Sequence, residues 1–528
     1  MPAAHVDRGV LRPRAARPST TAPAARPNAR APAARLSAQA SAVQLSAPAR
    51  PVWLVAAVFA AVELAASGRY GFHRDELYFL DAGRHLAFGY VDQGPLAPAL
   101  AHMSSVMLGA TPTAIRILPA LLGAATVVVT ALIAQTLGGG TFAQTLSAVA
   151  AACDPVQIAD SHLATTIVYD LLGWALVLLF VLRALLAGRE RCWLWAGVAA
   201  GFDLLNKNLI VLLAGALLIA ILLSPWRGAL RSRWPVLGVL TAAAICSPQL
   251  IWQAQHGWPA LLMSRALAAE HSTTGDYAAF IPAQLIYPGL LTLPVAAAGV
   301  LALARDARLR FLAVAFGLLV AFVFIDIPGR PYYTAGFYPV IYAAGAVALR
   351  PRSRSRRRLY LGAPVLGALA SLPLILPLLP LATMARLRFL HTLAYDQGET
   401  VGWPALTREV ADVYRTVAPR QRSATSIFTS NYGEAGAIAL YGPALGLPHP
   451  LSGHNGYWLW GPGRAPDATV IAVNSVSQLT AHFSRCRYAA TFHSPDGVDN
   501  DENGSQIWVC TGPRGPWQSF WGSLRHYG

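Results

Sequence analysis

The sequence predicts an α-helical polytopic membrane protein with a smaller α/β domain at its C-terminal end. Hydrophobic residues make up 55% of the 528-residue chain and charged residues only 12%, which is typical of membrane proteins rather than of soluble enzymes. Apolar runs long enough to cross a bilayer recur through about residue 381 and then stop. Beyond that point the apolar runs shorten to strand length, so an α/β domain is expected over 382–528.

The N-terminal segment, residues 1–50, consists mainly of Ala, Pro, Arg and Ser. Such a segment cannot form a core, and a disordered cytoplasmic tail is expected there. The first apolar span then serves as an uncleaved signal anchor. About eleven transmembrane helices are expected over 51–381, and this part should be the catalytic domain. The predicted spans are 52–67, 113–137, 142–158, 165–187, 192–206, 207–224, 235–252, 278–303, 311–327, 332–349 and 359–381.

The formal net charge of +16 is explained by topology rather than by nucleic-acid binding. Basic clusters follow the even-numbered spans, which is the pattern of cytoplasmic loops. These clusters are Arg189/Arg191, Arg227/Arg231/Arg233, Arg305/Arg308/Arg310 and 350–358. The alternation predicts a cytoplasmic N-terminus, an extracytoplasmic C-terminal domain and a first outer loop over 68–112. No nucleic-acid partner is expected.

Strands are expected in the C-terminal domain at 426–429, 469–473 and 507–510, with a helix at 476–483. Cysteine usage agrees with an extracytoplasmic location. Cys486 and Cys510 both lie near predicted strands, and a disulfide between them suits an oxidising compartment, with two free thiols as the alternative. The remaining cysteines lie in or beside spans and are interpreted as apolar fillers.

The first outer loop carries the most informative side chains of the chain. Asp75 and Glu76 follow the first span within a few residues, and Asp92 closes the same segment. Carboxylates at a membrane surface are costly to desolvate and contribute nothing to an apolar core. They therefore indicate catalysis or ion binding, although a solvated loop with a local Arg74–Asp75 pair is the simpler alternative.

A second acidic site is predicted at the outer start of the fourth span. Asp160 lies just before that span and Asp170 lies inside it, where a charge costs roughly 2.5–3.5 kcal/mol. A structural hydrogen bond to a neighbouring helix is the alternative for Asp170.

Cations are expected at the same boundary. Lys207 is the only lysine among 41 Lys and Arg residues, and its compact ammonium suits a phosphate group. Arg330, followed by Tyr332 and Tyr333, is a second candidate for phosphate contact. The alternatives are a snorkelling lysine and an ordinary aromatic belt at the interface.

Motifs of soluble enzymes are absent from the sequence. It contains no P-loop, no Gly-rich dinucleotide fingerprint, no Gly-x-Ser-x-Gly elbow and no Cys/His metal spacing. Carboxylates such as Asp75 and Asp170 give only a weak signature for a divalent cation, Mg²⁺ or Mn²⁺.

Several short motifs together resemble the GT-C class of polytopic glycosyltransferases. This class includes the protein O-mannosyltransferases, the bacterial transferases that attach aminoarabinose to lipid A, and a bacterial branch of glycosyltransferase family 39. The resembling motifs are HRDELY at 73–78, DQGPL at 92–96, YDLLGW at 169–174, LLNK at 204–207, RPYY at 330–333, NYGEAG at 431–436 and SGHNGY at 452–457. The resemblance covers about residues 52–528. The motif that closes the first loop segment is Asp-Gln-Gly-Pro at 92–95, where relatives commonly carry Lys-Pro-Pro or Gln-Pro-Pro. The C-terminal domain also differs from that of the eukaryotic protein mannosyltransferases.

The resemblance implies transfer of a sugar from a polyprenyl-phosphate donor to an acceptor hydroxyl on the outer face of the cytoplasmic membrane. It implies Asp75 as the catalytic base with Glu76 beside it, Asp170 as a second acidic site, and Lys207 and Arg330 at the donor phosphate. The C-terminal motifs add four candidate residues, Asn431, Glu434, His454 and Asn455.

Two other functions remain open at the level of sequence. A transporter or flippase of lipid-linked saccharides would also place charges near its helices, but nearer the midplane and with internal repeats. A family member without activity would serve as a structural or partner-binding subunit. The sugar, the polyprenol, the acceptor (protein, lipid or wall polymer) and the oligomeric state are not specified by the sequence.

Overall fold

A computed structural model of the protein describes residues 47–270, 272–387 and 394–527. The predicted N-terminal tail lies almost entirely outside these ranges. Helices dominate up to residue 386, as the sequence predicts. They are α1 Arg50–Ala66, α2 Arg74–Ala82, α3 Leu96–Leu108, α4 Pro112–Thr136, α5 Thr141–Ala152, α6 Pro155–His162, α7 Thr166–Leu186, α8 Cys192–Leu204, α9 Ile210–Leu222, α10 Arg233–Gln255, α11 Pro259–Glu270, α12 Thr274–Ile286, α13 Leu293–Arg305, α14 Arg310–Asp326, α15 Tyr338–Ala348, α16 Arg354–Ile375 and α17 Leu381–Arg386. Short 3₁₀ helices occupy Pro225–Arg231 and Pro331–Phe337.

The helices most able to cross a membrane also define the centre and the edge of the bundle. Among the described residues, four helices are long and apolar enough to span a bilayer, namely α4, α7, α10 and α16, or six spans if each of two bent helix pairs counts as one. The most apolar stretches of α4 and α7 are 56% and 67% buried, whereas that of α16 is 11% buried. The first two therefore lie at the centre, and α16 presents apolar side chains outward, as a lipid-facing helix does. The predicted total of about eleven spans stays a prediction.

Two predicted spans are each divided into two helices. The span predicted over 142–158 breaks where Asp154 caps α6 by accepting from the amides of Val156 and Gln157, and Pro155 occupies the first turn. The span predicted over 278–303 is interrupted between α12 and α13, where Gly289 adopts a φ of +80° directly after Pro288. Both expected spans were wrong as continuous helices.

The C-terminal part contains a mixed five-stranded sheet. Its helices are α18 Tyr395–Gly398, α19 Trp403–Thr416, α20 Pro419–Arg422, α21 Tyr432–Tyr441, α22 Asn455–Trp460, α23 Val476–Leu479 and α24 Trp517–Phe520. Its strands are β1 Thr425–Thr429, β2 Leu451–Ser452, β3 Thr469–Val473, β4 Phe483–Thr491 and β5 Gln506–Pro513. Further 3₁₀ turns lie at Pro443–Leu445, Pro495–Gly497 and Trp521–Leu524.

The strand order is β2-β1-β3-β5-β4. β1 pairs in parallel with β2 and β3, while β5 is antiparallel to both β3 and β4. Every residue of β1 and β3 is buried, as expected for central strands covered on both faces. Cys486 and Cys510 stand opposite each other on β4 and β5 and form a disulfide.

Candidate active site

The loop after α1 is fixed by an ion pair that is fully enclosed in protein. His73 and Glu76 form a capping box at the start of α2. Arg116 of α4 donates from Nε to Glu76 Oε1 at 2.8 Å and from Nη2 to Oε2 at 2.7 Å. The amide of Ala164 adds a second donor to Oε1 at 2.9 Å. Glu76 and Arg116 are 0% and 1% exposed, so this carboxylate is occupied and sets the position of α2.

Asp75, the neighbouring carboxylate, faces a different environment. Its side chain is 32% exposed, and Oδ1 accepts a hydrogen bond from the hydroxyl of Tyr432 at 2.9 Å. Oδ2 lies 4.0 Å from Nδ1 of His73, beyond hydrogen-bonding distance. Asp75 is therefore held by one contact while its second oxygen remains open.

Asp92 lies close enough to Asp75 for the two charges to interact. It accepts hydrogen bonds from Tyr78 at 3.1 Å and from Asn455 at 3.2 Å. The pKa of Asp92 is raised to about 7, chiefly by burial and also by the charge of Asp75, while the two hydrogen bonds act in the opposite direction. The pair thus combines an open carboxylate with one that titrates near neutrality.

The C-terminal part supplies side chains directly to this site through α21. Gly433 and Gly436 allow α21 to pack against α2, because a Cβ atom at these positions would lie 2.9 Å from Cβ of Arg74 and 2.8 Å from the backbone of Leu77. Tyr432, at the first position of α21, is thereby directed at Asp75.

The four C-terminal candidates surround Tyr432 and Asp92. Asn431 caps α21 in a capping box with Glu434, and it also donates to Glu502 at 3.1 Å. Burial and the neighbouring Glu502 raise the pKa of Glu434 well above its usual value. His454 accepts from the Tyr432 amide at 3.3 Å, and Asn455 reaches Asp92. Asn431, Glu434 and His454 thus hold the start of α21 in position, whereas Asn455 contacts a site carboxylate directly.

The predicted cations lie within a cluster of tyrosines. The Lys207 ammonium lies 4.6 Å from the centre of the Tyr333 ring, and Arg330 donates to the Tyr332 hydroxyl at 3.1 Å. Burial opposes the protonation of Arg330, but Tyr332, Tyr333 and Tyr432 raise its pKa overall. The Tyr332 and Tyr333 rings lie 4.9 Å apart, so the contacts of these two tyrosines place Arg330 and Lys207 in one cluster.

The second acidic residues are placed differently from each other. Burial raises the pKa of Asp160 well above its usual value, the charge of Asp396 adds to this, and the charge of Lys207 opposes it. Asp160 lies on α6, before the predicted fourth span. Asp170 instead accepts from the indole of Trp174 at 3.1 Å. It lies near Asp203 of α8, which fits against α7 only because position 173 is glycine: a Cβ there would lie 2.6 Å from the Asp203 carboxylate.

Several residues of the site were not identified from the sequence. Tyr78 and Tyr432 contact the two loop carboxylates, and Arg116 holds Glu76. A lone arginine at the start of an apolar helix was the available signal for Arg116, since a buried charge needs a partner. The described residues contain no group of three or more His, Cys, Asp or Glu side chains that could hold a metal ion.

Comparison with known proteins agrees with this architecture. Residues 92–252 match the family model described as dolichyl-phosphate-mannose-protein mannosyltransferase. No curated protein sequence is significantly similar to the chain. ArnT from Cupriavidus metallidurans bound to undecaprenyl phosphate is 16% identical, with a TM-score of 0.60, covering 88% of this chain and 98% of that chain. ArnT in the apo state is 17% identical, with a TM-score of 0.58, covering 87% and 97%.

A more distant likeness is to the archaeal oligosaccharyltransferase AglB from Archaeoglobus fulgidus, at 13% identity and a TM-score of 0.45, covering 81% of this chain and 69% of that chain. The match to ArnT over nearly its whole length confirms the predicted fold class, a helical membrane part with a small C-terminal sheet.

Proposed function

We propose that this protein, a glycosyltransferase of the GT-C class, moves a sugar from a polyprenyl-phosphate donor to an acceptor hydroxyl on the outer face of the cytoplasmic membrane. One observation carries the proposal. The loop that carries Asp92 is hydrogen-bonded through the amides of Gly94 and Leu96 to the segment that precedes Lys207, and Asp92 is linked to Asp75 through Tyr78 and Tyr432. This combination supplies a base for the attacking hydroxyl and positive charge for a leaving phosphate.

The donor phosphate is assigned to Lys207 and Arg330. Within the described part of the chain Lys207 forms no salt bridge, although its charge acts on the carboxylate of Asp160. Arg330 adds a planar donor group next to two tyrosine hydroxyls. The bound undecaprenyl phosphate of the similar ArnT structure supports a lipid phosphate as ligand.

The reaction is a single displacement at the anomeric carbon. The acceptor oxygen forms the new bond while the bond from the anomeric carbon to the phosphate oxygen breaks. Asp75 takes the proton of the acceptor hydroxyl, and the hydrogen bond from Tyr432 orients it for this step. Lys207 and Arg330 neutralise the charge that develops on the departing lipid phosphate.

The orientation in the membrane is part of the proposal. The alternation of arginine clusters supports a cytoplasmic N-terminus and an extracytoplasmic C-terminal domain. The disulfide between Cys486 and Cys510 supports an oxidising compartment for that domain. The acceptor remains a hydroxyl of a protein, a lipid or a cell-wall polymer.

A divalent cation between Asp75 and Asp170 stays a prediction from the sequence. Asp75 is accompanied by Asp92, whereas Asp170 lies beside Trp174 and Asp203. Running the transfer assay in EDTA measures any requirement for such an ion.

The proposal is tested with purified protein and a panel of polyprenyl-phosphate sugars, following release of polyprenyl phosphate by mass spectrometry. Asp75→Asn removes the base with almost no change in volume and should slow release by about 10²–10⁴-fold. Asp412→Asn is the matched control, because Asp412 is 61% exposed on α19. Parental release by Asp75→Asn would overturn the assignment of Asp75.

The same assay separates the rival functions. A flippase would move the lipid-linked saccharide without releasing polyprenyl phosphate, and a subunit without activity would do neither. Mass spectrometry of envelope glycans and glycoproteins from cells with and without the protein would then identify the acceptor.

A further inference from the structure

A cleft lies at the opposite end of α8 from the candidate active site. It has a volume of about 540 Å³ and is lined by residues 188–192 together with Trp195 and Trp234. α8 has 13 residues, so its two ends lie about 20 Å apart. Lys207 follows the far end of α8, and the cleft opens at its beginning.

The lining combines positive charge with interfacial aromatic rings. Arg189 and Arg191 are exposed, Trp195 is 58% exposed, and Glu190 is the one acidic side chain of the lining. The guanidinium groups of Arg191 and Arg233 lie 5.9 Å and 5.1 Å from the Trp234 ring. Arginine paired with tryptophan at the end of a transmembrane helix is the usual composition of a site that faces lipid headgroups.

Apolar side chains continue from the cleft along α10. Val236, Val239 and Leu240 are all more than half exposed. α8 and α10 are held in contact at one point by glycines, because a Cβ at Gly197 would lie 2.1 Å from the Gly238 carbonyl oxygen. The resulting surface offers charge for a headgroup and, next to it, an apolar wall for acyl chains.

We propose that this cleft is a specific binding site for an anionic phospholipid, with the lipid phosphate at Arg189 and Arg191 and the acyl chains along α10. Charge complementarity favours an anionic over a zwitterionic headgroup. The adjoining apolar surface favours a lipid over a free phosphate compound. The site does not depend on the glycosyltransferase reaction.

The site can be probed through Cys192, which also lines the cleft. The other two free cysteines, Cys153 and Cys246, are buried, so alkylation of the native full-length protein should report on Cys192. Phosphatidylglycerol added to protein in zwitterionic detergent should slow this alkylation. Native mass spectrometry should show retained phosphatidylglycerol, whereas phosphatidylcholine or inorganic phosphate at equal concentration should have little effect.

Matched double variants separate a specific site from general attraction. Arg189→Gln/Arg191→Gln should raise the phosphatidylglycerol concentration needed for half-maximal protection of Cys192 by roughly thirty-fold. Each lost arginine charge should weaken binding of the anionic headgroup, and the two losses together give this factor. Arg227→Gln/Arg231→Gln removes two exposed arginines from the neighbouring 3₁₀ helix and should leave protection unchanged.

Equal loss of protection in both double variants would overturn the proposal, as would equal protection by phosphatidylcholine or by inorganic phosphate. Trp195→Ala keeps all charges and provides a second test if the arginine variant folds poorly. It should weaken protection, and unchanged protection would also overturn the proposal.

Discussion

At the residue scale, Glu76 and Arg116 show how a buried charge can determine the position of a site without taking part in it. Both oxygens of Glu76 are bound to Arg116, and the pair is shielded from water. Breaking a buried ion pair by removing one partner leaves the other charge without compensation. Asp75, one residue earlier, is partly exposed and is not part of this ion pair.

Glu76→Gln and Arg116→Met should therefore each destabilise the protein by about 3–5 kcal/mol, because each leaves one buried charge or polar group unpaired. The double variant Glu76→Leu/Arg116→Met should lose less than the sum of the single variants Glu76→Leu and Arg116→Met. Thermal unfolding in detergent measures these effects. Asp75→Asn is the control and should melt like the parent protein.

The opposite pattern would restore a catalytic role to Glu76. If Glu76→Gln melts at the parental temperature but does not release polyprenyl phosphate, then Glu76 acts in the reaction, as the sequence alone predicts.

The sequence offers candidates for the site where a charged side chain contributes nothing to an apolar core. Asp75 and Asp92 were chosen as candidates because carboxylates at a membrane surface are costly to desolvate, and Lys207 because it is the only lysine of the chain. Tyr432 carries no such cost. Its contact with Asp75 joins positions 357 residues apart, and no local pattern in the sequence indicates that pairing.

At the element scale, α2 is the surface on which the C-terminal part is docked. Besides the contact with α21, Asp81 of α2 accepts from the Tyr457 hydroxyl at 2.6 Å and lies 3.3 Å from Nε2 of His449. The hydrogen bond to Asp81 raises the pKa of His449. Burial opposes ionisation of Asp81, but the His449 contact and the Tyr457 hydrogen bond lower its pKa overall.

The His449–Asp81 contact should give this docking a pH dependence. His449 contributes stability that is complete below about pH 6.5, the ordinary value for histidine, and is lost as pH rises through its raised pKa. Asp81 contributes above about pH 3.9 and loses its contribution as pH falls through its lowered pKa. The difference in melting temperature between the parent and His449→Gln should therefore be larger at pH 6 than at pH 9.

A pH-independent difference would show that His449 acts through packing alone. His482→Gln is the matched control, since the His482 ring stacks 4.2 Å from the Phe520 ring within the C-terminal part. It should show no such difference between the two pH values.

Strands of the C-terminal part were predictable where they consist of a continuous run of apolar residues, and a strand rich in polar residues was missed. β1, β3 and β5 contain apolar runs, and all three were expected near their observed positions. β4 was missed because it lies at the edge of the sheet, where Arg485 and Arg487 are exposed, so it lacks the apolar character of a central strand. The helix expected at 476–483 is shorter than predicted: it ends at Leu479, and Phe483 already belongs to β4.

At the scale of the whole molecule, the disulfide provides a test of membrane orientation. It closes a loop with a sequence separation of 24 residues and should stabilise the C-terminal part by roughly 3–4 kcal/mol. Peptide mapping of protein alkylated without reductant should recover Cys486 and Cys510 as one linked peptide pair. Recovery of both as alkylated thiols, or labelling of residues near 500 from the cytoplasm, would contradict the proposed extracytoplasmic location.

The contacts of the first loop also imply an order of events during synthesis of the chain. Glu76 meets Arg116 across 40 residues, whereas Asp75 must wait for Tyr432, 357 residues later. At about 5–20 residues per second, this delay is roughly 20–70 s. During that interval the loop can already be held by the ion pair, by the amide of Ala164 and by the backbone of 205–206. A chain that stops before residue 432 is therefore expected to keep this loop in place but to lack the contact that orients Asp75.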